Sequence, residues 1–296
     1  MIKIVKPNAE TIVNNDTVLQ RIERVGRICY KSEDKIEENS RFKFVDTVIK
    51  LGHNSVLEFG LVSVCFRFAN YNEAFRRTEY LRYNPYLRLS MTYSPVNVTI
   101  TTSLRVWLDI INEHPCGDIE LNATSVFVED QELNKIFTKR DVPVPNTYIH
   151  HTVIVPTPLF HRRPLVKFTV SRAISHQIVR HRVCSFMQES QRYCRYDKEM
   201  TFIEPLWVDS TDKSELFADD CENAFYRYGR RIQQGLKPQE ARGCLPQDIK
   251  TELYVMTDIK EWKHMFSQRC APGADSEIQR VMKPLQQEFI DRGWIK

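Results

Sequence analysis

The chain has 296 residues, of which 42% are apolar and 27% charged, and a formal net charge of +4. Those numbers describe an ordinary globular protein with a substantial core, in one large domain or two small ones. They exclude a global field that would demand a polyanionic partner. Neither the opening MIKIVKPNAE nor any later run has the apolar length of a signal core or a membrane span, so the expected location is cytoplasmic, with no membrane partner.

In chain order, apolar residues recur at helical spacing over Val18 to Cys29 (Val18, Ile22, Val25, Ile28) and again over Phe42 to Leu51, which predicts two N-terminal helices. Gly60 to Phe68 alternates with period two and reads as a half-buried strand. The stretch from about Ala69 to Pro164 is less regular. It holds the Tyr/Arg-rich segment Tyr80 to Arg88, an alternating run from Val96 to Thr101, a helical pattern from Leu104 to Ile111, and an acidic, proline-rich passage before Val153. We read it as an insertion packed on a single domain. Leu165 to Val170 is a second strand, feeding a helix from about Arg172 to about Arg180. Another helix fits Leu216 to Leu236. Thr251 to Thr257 is a third strand, followed by a helix over Asp258 to Gln268 with Asp258 as its cap, and a last helix fits Asp275 to Asp291. Strands and helices mix without a regular β-α-β alternation. That predicts an α+β fold, a mixed or antiparallel sheet flanked by helices.

The eight cysteines form no C-x-x-C pair, in a chain too long to need a disulfide framework, and read as reduced thiols. No metal is expected. The nine glycines supply neither G-x-G-x-x-G nor G-x-x-x-x-G-K-[ST], so a bound nucleotide must be held by side chains rather than by a glycine-rich loop.

The densest polar cluster is Arg180-His-Arg-Val-Cys-Ser-Phe-Met-Gln-Glu-Ser-Gln-Arg-Tyr193, preceded by Ser171 to Gln177. Eight residues advance a helix by about 80° beyond two turns, so Arg172, His176 and Arg180 are expected near one helix face. Ser185, Gln188, Ser190, Gln191 and Arg192 follow on what reads as a loop. Guanidinium groups bind phosphate through paired donors, and Ser and Gln add neutral ones, a combination that suits a nucleotide monophosphate. The plainer reading of such a cluster is a solvated basic helix end. Flanking apolar residues and interleaved Ser and Gln argue against it here. A second cluster comprises Ala241-Arg-Gly-Cys-Leu-Pro246, Thr251-Glu252, Lys260, His264 and Arg269. Lys260 and His264 share a helix face, and Arg269 falls at the helix C-terminus, where the macrodipole alone favours a cation. Gly52-His-Asn-Ser-Val-Leu-Glu58 is a third polar patch, just before the first long strand.

These motifs resemble the flavin-dependent thymidylate synthase family. Arg180-His-Arg182 followed after seven residues by Ser190 is similar to the family's signature. Val25 to Ser32 resembles its N-terminal helix and Gly52 to Glu58 its flavin loop. Ala241 to Pro246, Thr251-Glu252, Arg269 and Ala274 to Ile278 resemble its C-terminal half in order and spacing. The resemblance implies reductive methylation of dUMP to dTMP, with 5,10-methylene-tetrahydrofolate as carbon donor and FAD, reduced by NADPH, as hydride carrier. It also implies a homotetramer whose active sites draw on several subunits.

Position by position, it implies that Arg172, Gln188, Ser190 and Arg192 hold the dUMP phosphate, with Gln177 near the ribose. Arg242 and Arg269 would contact the uracil, Arg269 in the catalytic role of polarising the ring for attack through C5. Ser55, Arg180, His181, Arg182, Lys260 and His264 would bind FAD. Ser190 has no base beside it in sequence and is read as a phosphate ligand rather than a nucleophile. The chain departs from the family pattern at Phe59, where His is common, at Met187, at Gly273 and at Asp258.

Three rival readings compete with this one. A flavin- and folate-dependent pyrimidine nucleotide hydroxymethylase would use the same residues. A classical thymidylate synthase would need a cysteine nucleophile, and Pro115-Cys116 lacks the surrounding pattern. A nucleic-acid-binding protein using Arg76 to Arg88 is disfavoured by the modest net charge.

Overall fold

The computed structural model describes residues 1–137, 149 and 151–296. The proline-rich passage expected before Val153 falls mostly outside them. Strands β1 (Ile2–Val5) and β2 (Asn8–Thr11) precede helices α1 (Val18–Arg27) and α2 (Ser40–Lys50). Then come β3 (Leu61–Arg67), α3 (Tyr71–Thr78), β4 (Arg88–Tyr93), β5 (Val96–Ser103), α4 (Leu104–Glu113), α5 (Asp118–Glu129), the short α6 (Asn134–Phe137) and β6 (His151–Val155). The remainder runs β7 (Leu165–Ser171), α7 (Arg172–Ile178), β8 (Ser185–Gln188), β9 (Met200–Ile203), α8 (Thr211–Gln233), the short α9 (Pro238–Ala241), β10 (Lys250–Met256), α10 (Ile259–Arg269) and α11 (Ser276–Asp291). This is the expected α+β class. No helix among the described residues is long and apolar enough to cross a membrane.

The chain forms two compact units, Met1–Asn14 with Arg27–Asp34 and Arg163–Lys296, and Asn15–Gly26 with Lys35–Arg162. The first is built on an antiparallel sheet in the order β2-β7-β10-β8, with seven residues of β7 paired to β10 from Leu165↔Met256 to Ser171↔Lys250. One face of that sheet carries Val166, Phe168, Val170, Leu253 and Val255 into a core completed by Ile174 and Ile178 of α7, Trp262, Met265 and Phe266 of α10, and Met282, Leu285 and Phe289 of α11. Fully burying each such side chain contributes about 1.5–3 kcal/mol, so these three helices are fixed chiefly by their apolar faces. Side-chain caps set their starts: Ser171 accepts from Ile174 N (3.3 Å), Asp258 from Glu261 N (2.8 Å) and Asp275 from Glu277 N (2.9 Å). A parallel pair, β1 with β9, lies against α8 around Met200, Phe202, Phe217, Cys221 and Tyr228.

The second unit holds an antiparallel sheet in the order β4-β5-β3-β6. Its core gathers Val62, Val64, Phe66, Val98 and Ile100 from the strands, and Trp107, Phe127 and Phe137 from α4, α5 and α6. Trp107 Nε1 donates to the Val62 carbonyl at 3.2 Å, so even the indole N–H is satisfied inside. Apart from Arg163 and Pro164, the stretch set apart from the sequence, 69–164, belongs to this unit, together with Asn15–Gly26 and 35–68.

Several expectations are corrected. The first helix stops at Arg27 and continues as a 3-10 turn, Ile28–Tyr30. The helix expected at Leu216 begins at Thr211, because Ser210 accepts from Lys213 N and starts it a turn and a half earlier. The sequence predicts no helix after Leu104 to Ile111 in this stretch, yet α5 starts at Asp118. Its apolar spacing is masked because polar Glu120, Asn122 and Thr124 are buried alongside Ile119, Leu121 and Phe127.

Candidate functional site

The end of β7 delivers Arg172. Ser171 caps α7, and the Arg172 and Ala173 amides donate to Ile249 O (3.0 Å) and Gln247 O (3.2 Å), which fixes where the arginine leaves the sheet. The Arg172 guanidinium is half-buried, and among the described residues it has no hydrogen-bonded or ion-paired partner. Burial, then the nearby Arg242 guanidinium, pull it below the ordinary arginine value, against the opposing pull of Tyr196 and Glu189. Arg242, in the 3-10 turn Arg242–Cys244, is exposed and equally unpartnered. Two cations held within electrostatic reach, neither paired with a carboxylate, form a local field that favours an anion.

α7 ends at Ile178, so Arg180 does not continue the face shared by Arg172 and His176, as the sequence had suggested. The Val179 amide closes the helix on Ser175 O at 3.0 Å. The chain then turns through Val183 at φ 60, a left-handed conformation that a β-branched residue adopts at a cost of about 1–3 kcal/mol. The Val183 carbonyl is held by Thr257 Oγ1 (2.9 Å) and Arg163 Nη2 (3.4 Å), the tertiary bonds that override the helical pattern.

Beyond that turn, Ser185 to Gln188 form strand β8 and not the expected loop; they pair with β10, Leu253 opposite Gln188 and Met256 opposite Ser185. Side chains alternate across a strand. Gln188 therefore turns toward α7, its amide donating to Ser175 Oγ (2.9 Å) and Thr251 Oγ1 (3.1 Å). Met187 turns the other way, where its Sδ lies 3.0 Å from Cys29 Sγ. Ser190 and Arg192 follow in a turn; the Tyr193 and Cys194 amides donate to Ser190 O, and the half-exposed Ser190 hydroxyl accepts from Arg192 N at 3.3 Å. Arg192 is exposed, its guanidinium 5.5 Å from the Tyr193 ring.

A second group centres on His181, which is 8% exposed. Arg269, at the last turn of α10, donates from Nε to His181 Nε2 (3.1 Å) and from its terminal nitrogens to the Gln177 backbone carbonyl (2.8 Å) and Gln177 Oε1 (3.4 Å). Gln177 in turn donates to Asp275 Oδ2 at 2.7 Å. Burial first, then the Arg269 and His264 charges, hold His181 down at about 4, a neutral imidazole. Because Nε2 accepts, the proton sits on Nδ1, 3.8 Å from Glu261 Oε1. His181, Glu261 and His264 bring ligand atoms within 4.8 Å of one another, but the one imidazole lone pair of His181 is already taken by Arg269. Arg269 is itself lowered by burial and by the neighbouring Arg180. Exposed Arg180 and His264 lie within electrostatic reach of the group, and exposed Arg182 and Lys260 adjoin His181 and Glu261 in sequence; no hydrogen bond or ion pair among the described residues engages the two guanidiniums or the Lys260 ammonium.

The expected site residues thus fall into two neighbourhoods of the first unit. Arg172 and Arg242 form one, with Gln188, Ser190 and Arg192 at the β8 exit; Gln177, Arg180, His181, His264 and Arg269 form the other, with Arg182 and Lys260 alongside. Ser55 belongs to the second unit, exposed on the 3-10 turn Asn54–Phe59. Phe59, the departure from His, is fully buried there, so its ring serves the core. Asp258 acts as the helix cap, and a side chain at Gly273 would meet open space. Sequence reasoning missed Glu189, Lys31, Lys250 and Tyr196, which form an ion-pair network behind Ser190. The only sign in the sequence was Glu189 itself, one acid in a basic motif.

The profile of the family described as "Thy1: Thymidylate synthase complementing protein" matches residues 130–292, more than half of the chain. The chain belongs to the Thy1 family. The match takes in both neighbourhoods, from Arg172 to Arg269, and leaves Ser55 outside. The flavin-dependent thymidylate synthase of Pyrococcus horikoshii is 34% identical over 132 residues, 43% of this chain and 54% of that protein. The enzyme of the same name from Geobacter sulfurreducens is 33% identical over 114 residues, 38% of this chain and 49% of that protein. The chain spans about half the length of the curated relatives it matches. A crystal structure of the UMP/dUMP methylase PolB from Streptomyces cacaoi covers 98% of this Thy1 chain and 92% of its own, at 13% identity and TM-score 0.44, too slight a likeness to carry an argument.

Proposed function

We propose that this Thy1 chain methylates dUMP reductively to dTMP, taking the carbon from 5,10-methylene-tetrahydrofolate and using FAD reduced by NADPH. The observation that carries the reading is the pair of unpartnered guanidiniums, Arg172 and Arg242, within electrostatic reach of each other near the Ser190 turn. Such a pair suits a nucleotide phosphate and the pyrimidine carbonyls attached to it. Arg172, Ser190 and Arg192 bind the phosphate in this reading. Gln188, whose amide hydrogens are spent on Ser175 and Thr251, offers only its carbonyl oxygen outward and orders the floor of the site.

Arg269 keeps two of the five guanidinium N–H donors after its bonds to His181 and Gln177. Those donors, fixed in direction, stabilise negative charge that develops on a uracil carbonyl as C5 becomes nucleophilic. His181 stays neutral and orients Arg269 without adding a competing charge.

The donor set also fits a flavin dinucleotide: Arg180, Arg182 and Lys260 are exposed and unpaired, suited to a diphosphate, and His264 lies 5.8 Å from the His181 ring. When bound, the reduced flavin supplies the hydride. In this reading the protein works as a cytoplasmic homotetramer whose active sites draw on several subunits, and Ser55 is a flavin ligand in that assembly.

The test is the mass of the nucleotide formed from dUMP with FAD, NADPH and methylene-tetrahydrofolate under anaerobic conditions. A product one methyl group heavier is expected. A hydroxymethyl product moves the protein to the sister chemistry, and no product from flavin-loaded protein removes the reading.

A further inference from the structure

Glu189 stands between Gln188 and Ser190, yet no role above uses it. Its side chain is wholly buried and is met by two lysines, Lys31 Nζ at 2.9 Å from Oε1 and Lys250 Nζ at 3.0 Å from Oε2. The Tyr196 hydroxyl donates to Oε1 at 2.8 Å, and Lys31 also lies over the Tyr196 ring, 4.8 Å from its centroid. The Lys250 contact lacks hydrogen-bond geometry, so Oε2 is held by charge alone. Lys31 is partly exposed and Lys250 also meets Glu252 Oε2 at 3.5 Å, so the fully buried member of the set is the Glu189 carboxylate itself.

The partners come from three stretches of the first unit. Lys31 follows the 3-10 turn Ile28–Tyr30, Lys250 opens β10, and Tyr196 lies beyond the Ser190 turn. Backbone bonds run beside them: Glu189 N to Glu252 O (2.9 Å), Ser190 N to Cys29 O (3.2 Å) and Cys194 N to Ser190 O (2.9 Å). Lys31 sits at φ 47, a left-handed conformation that a non-glycine residue keeps when its surroundings hold it there. Arg172 lies within electrostatic reach of both Tyr196 and Glu189.

We propose that Glu189 is a positioning residue for the phosphate site: by gathering Lys31, Lys250 and Tyr196 around one carboxylate, it holds the Ser190 turn so that the Ser190 hydroxyl and the guanidiniums of Arg172 and Arg192 meet one phosphate. The inference rests on the dUMP reading above. Its sign separates it from a plain charge effect. A carboxylate acting only as a nearby negative charge repels phosphate, so neutralising it tightens binding. A carboxylate acting as a clamp loosens the turn when neutralised, and binding weakens.

The experiment titrates dUMP calorimetrically into the wild-type protein, Glu189→Gln and Arg172→Ala, with affinity expressed per folded molecule. Glu189→Gln is expected to bind at least about tenfold more weakly, and Arg172→Ala is expected to bind more weakly as well. Unchanged or tighter binding by Glu189→Gln, beside a weakened Arg172→Ala, overturns the clamp and leaves the phosphate site standing. A lowered melting temperature with unchanged affinity has the same meaning. A wild-type protein that binds no dUMP removes the underlying reading as well. Should Glu189→Gln fail to fold, Tyr196→Phe takes only the hydroxyl: binding about threefold weaker supports the clamp, and unchanged affinity overturns it.

Discussion

Replacing His181 by glutamine turns the His181–Arg269 contact into a measurable pH dependence. The glutamine carbonyl reproduces the Nε2 acceptor that Arg269 Nε uses at 3.1 Å, but it does not titrate. In the wild type the imidazole falls from an ordinary value of 6.5 to about 4, through burial first and the Arg269 and His264 charges next. The sign follows from proton uptake. Above about pH 7 both folded and unfolded chains carry a neutral imidazole, and the site contributes its full stability. As the pH falls through 6.5 the unfolded chain takes up a proton that the folded site refuses until about 4, so stability is lost across that window. Between about pH 7.5 and pH 5 the loss amounts to about 2 kcal/mol, rising to about 3 kcal/mol once the folded site is also protonated. The assay is urea unfolding of both proteins at the two pH values. His181→Gln is expected to lose about 2 kcal/mol less than the wild type on acidification, because every other titrating group is common to both. Equal losses in the two proteins would refute a neutral, buried His181 accepting from Arg269.

Other outcomes follow from residues already placed. Arg182→Ala is expected to lower FAD occupancy of the purified protein, read from the flavin absorbance per chain; a fully loaded variant counts against its cofactor role. Phe59→His puts a polar ring into a fully buried position and is expected to destabilise by roughly 2–4 kcal/mol, seen as a lower denaturation midpoint; an unchanged midpoint would mean that the ring is not core. Cys116 is exposed in the turn between α4 and α5, so Cys116→Ala is expected to retain full turnover. Loss of activity with the fold intact would reopen a cysteine-nucleophile chemistry.

How far the sequence could be read depended on whether a signal was local. β7 and β10 were legible because their apolar residues alternate, and α10 because Asp258 and its apolar spacing are written side by side. The two cationic neighbourhoods were legible as residue types. Their internal geometry was not, because α7 is cut at Ile178 by bonds from Thr257 and Arg163, both remote in sequence from the turn they hold. β8 looked like a loop since four residues give too short a pattern, and its pairing partner lies more than sixty residues away. Glu189 escaped notice for a related reason. An acid among basic residues reads as solvated, and only the fold brings Lys31 and Lys250 to it.

The alternation of β8 has a consequence for which changes the motif can absorb. Neighbouring side chains there serve different partners: the amide of Gln188 reaches Ser175 and Thr251, while Met187 on the opposite face reaches Cys29. Exchanging Met187 for another side chain of similar bulk disturbs one face only. Deleting a single residue in the strand would shift every later side chain to the wrong face, presenting the Glu189 carboxylate to the hydroxyls of Ser175 and Thr251 and withdrawing it from both lysines; inserting one would put Met187 against those hydroxyls. Spacing along this segment is therefore held more tightly than composition, and length variants should be lost where substitutions survive.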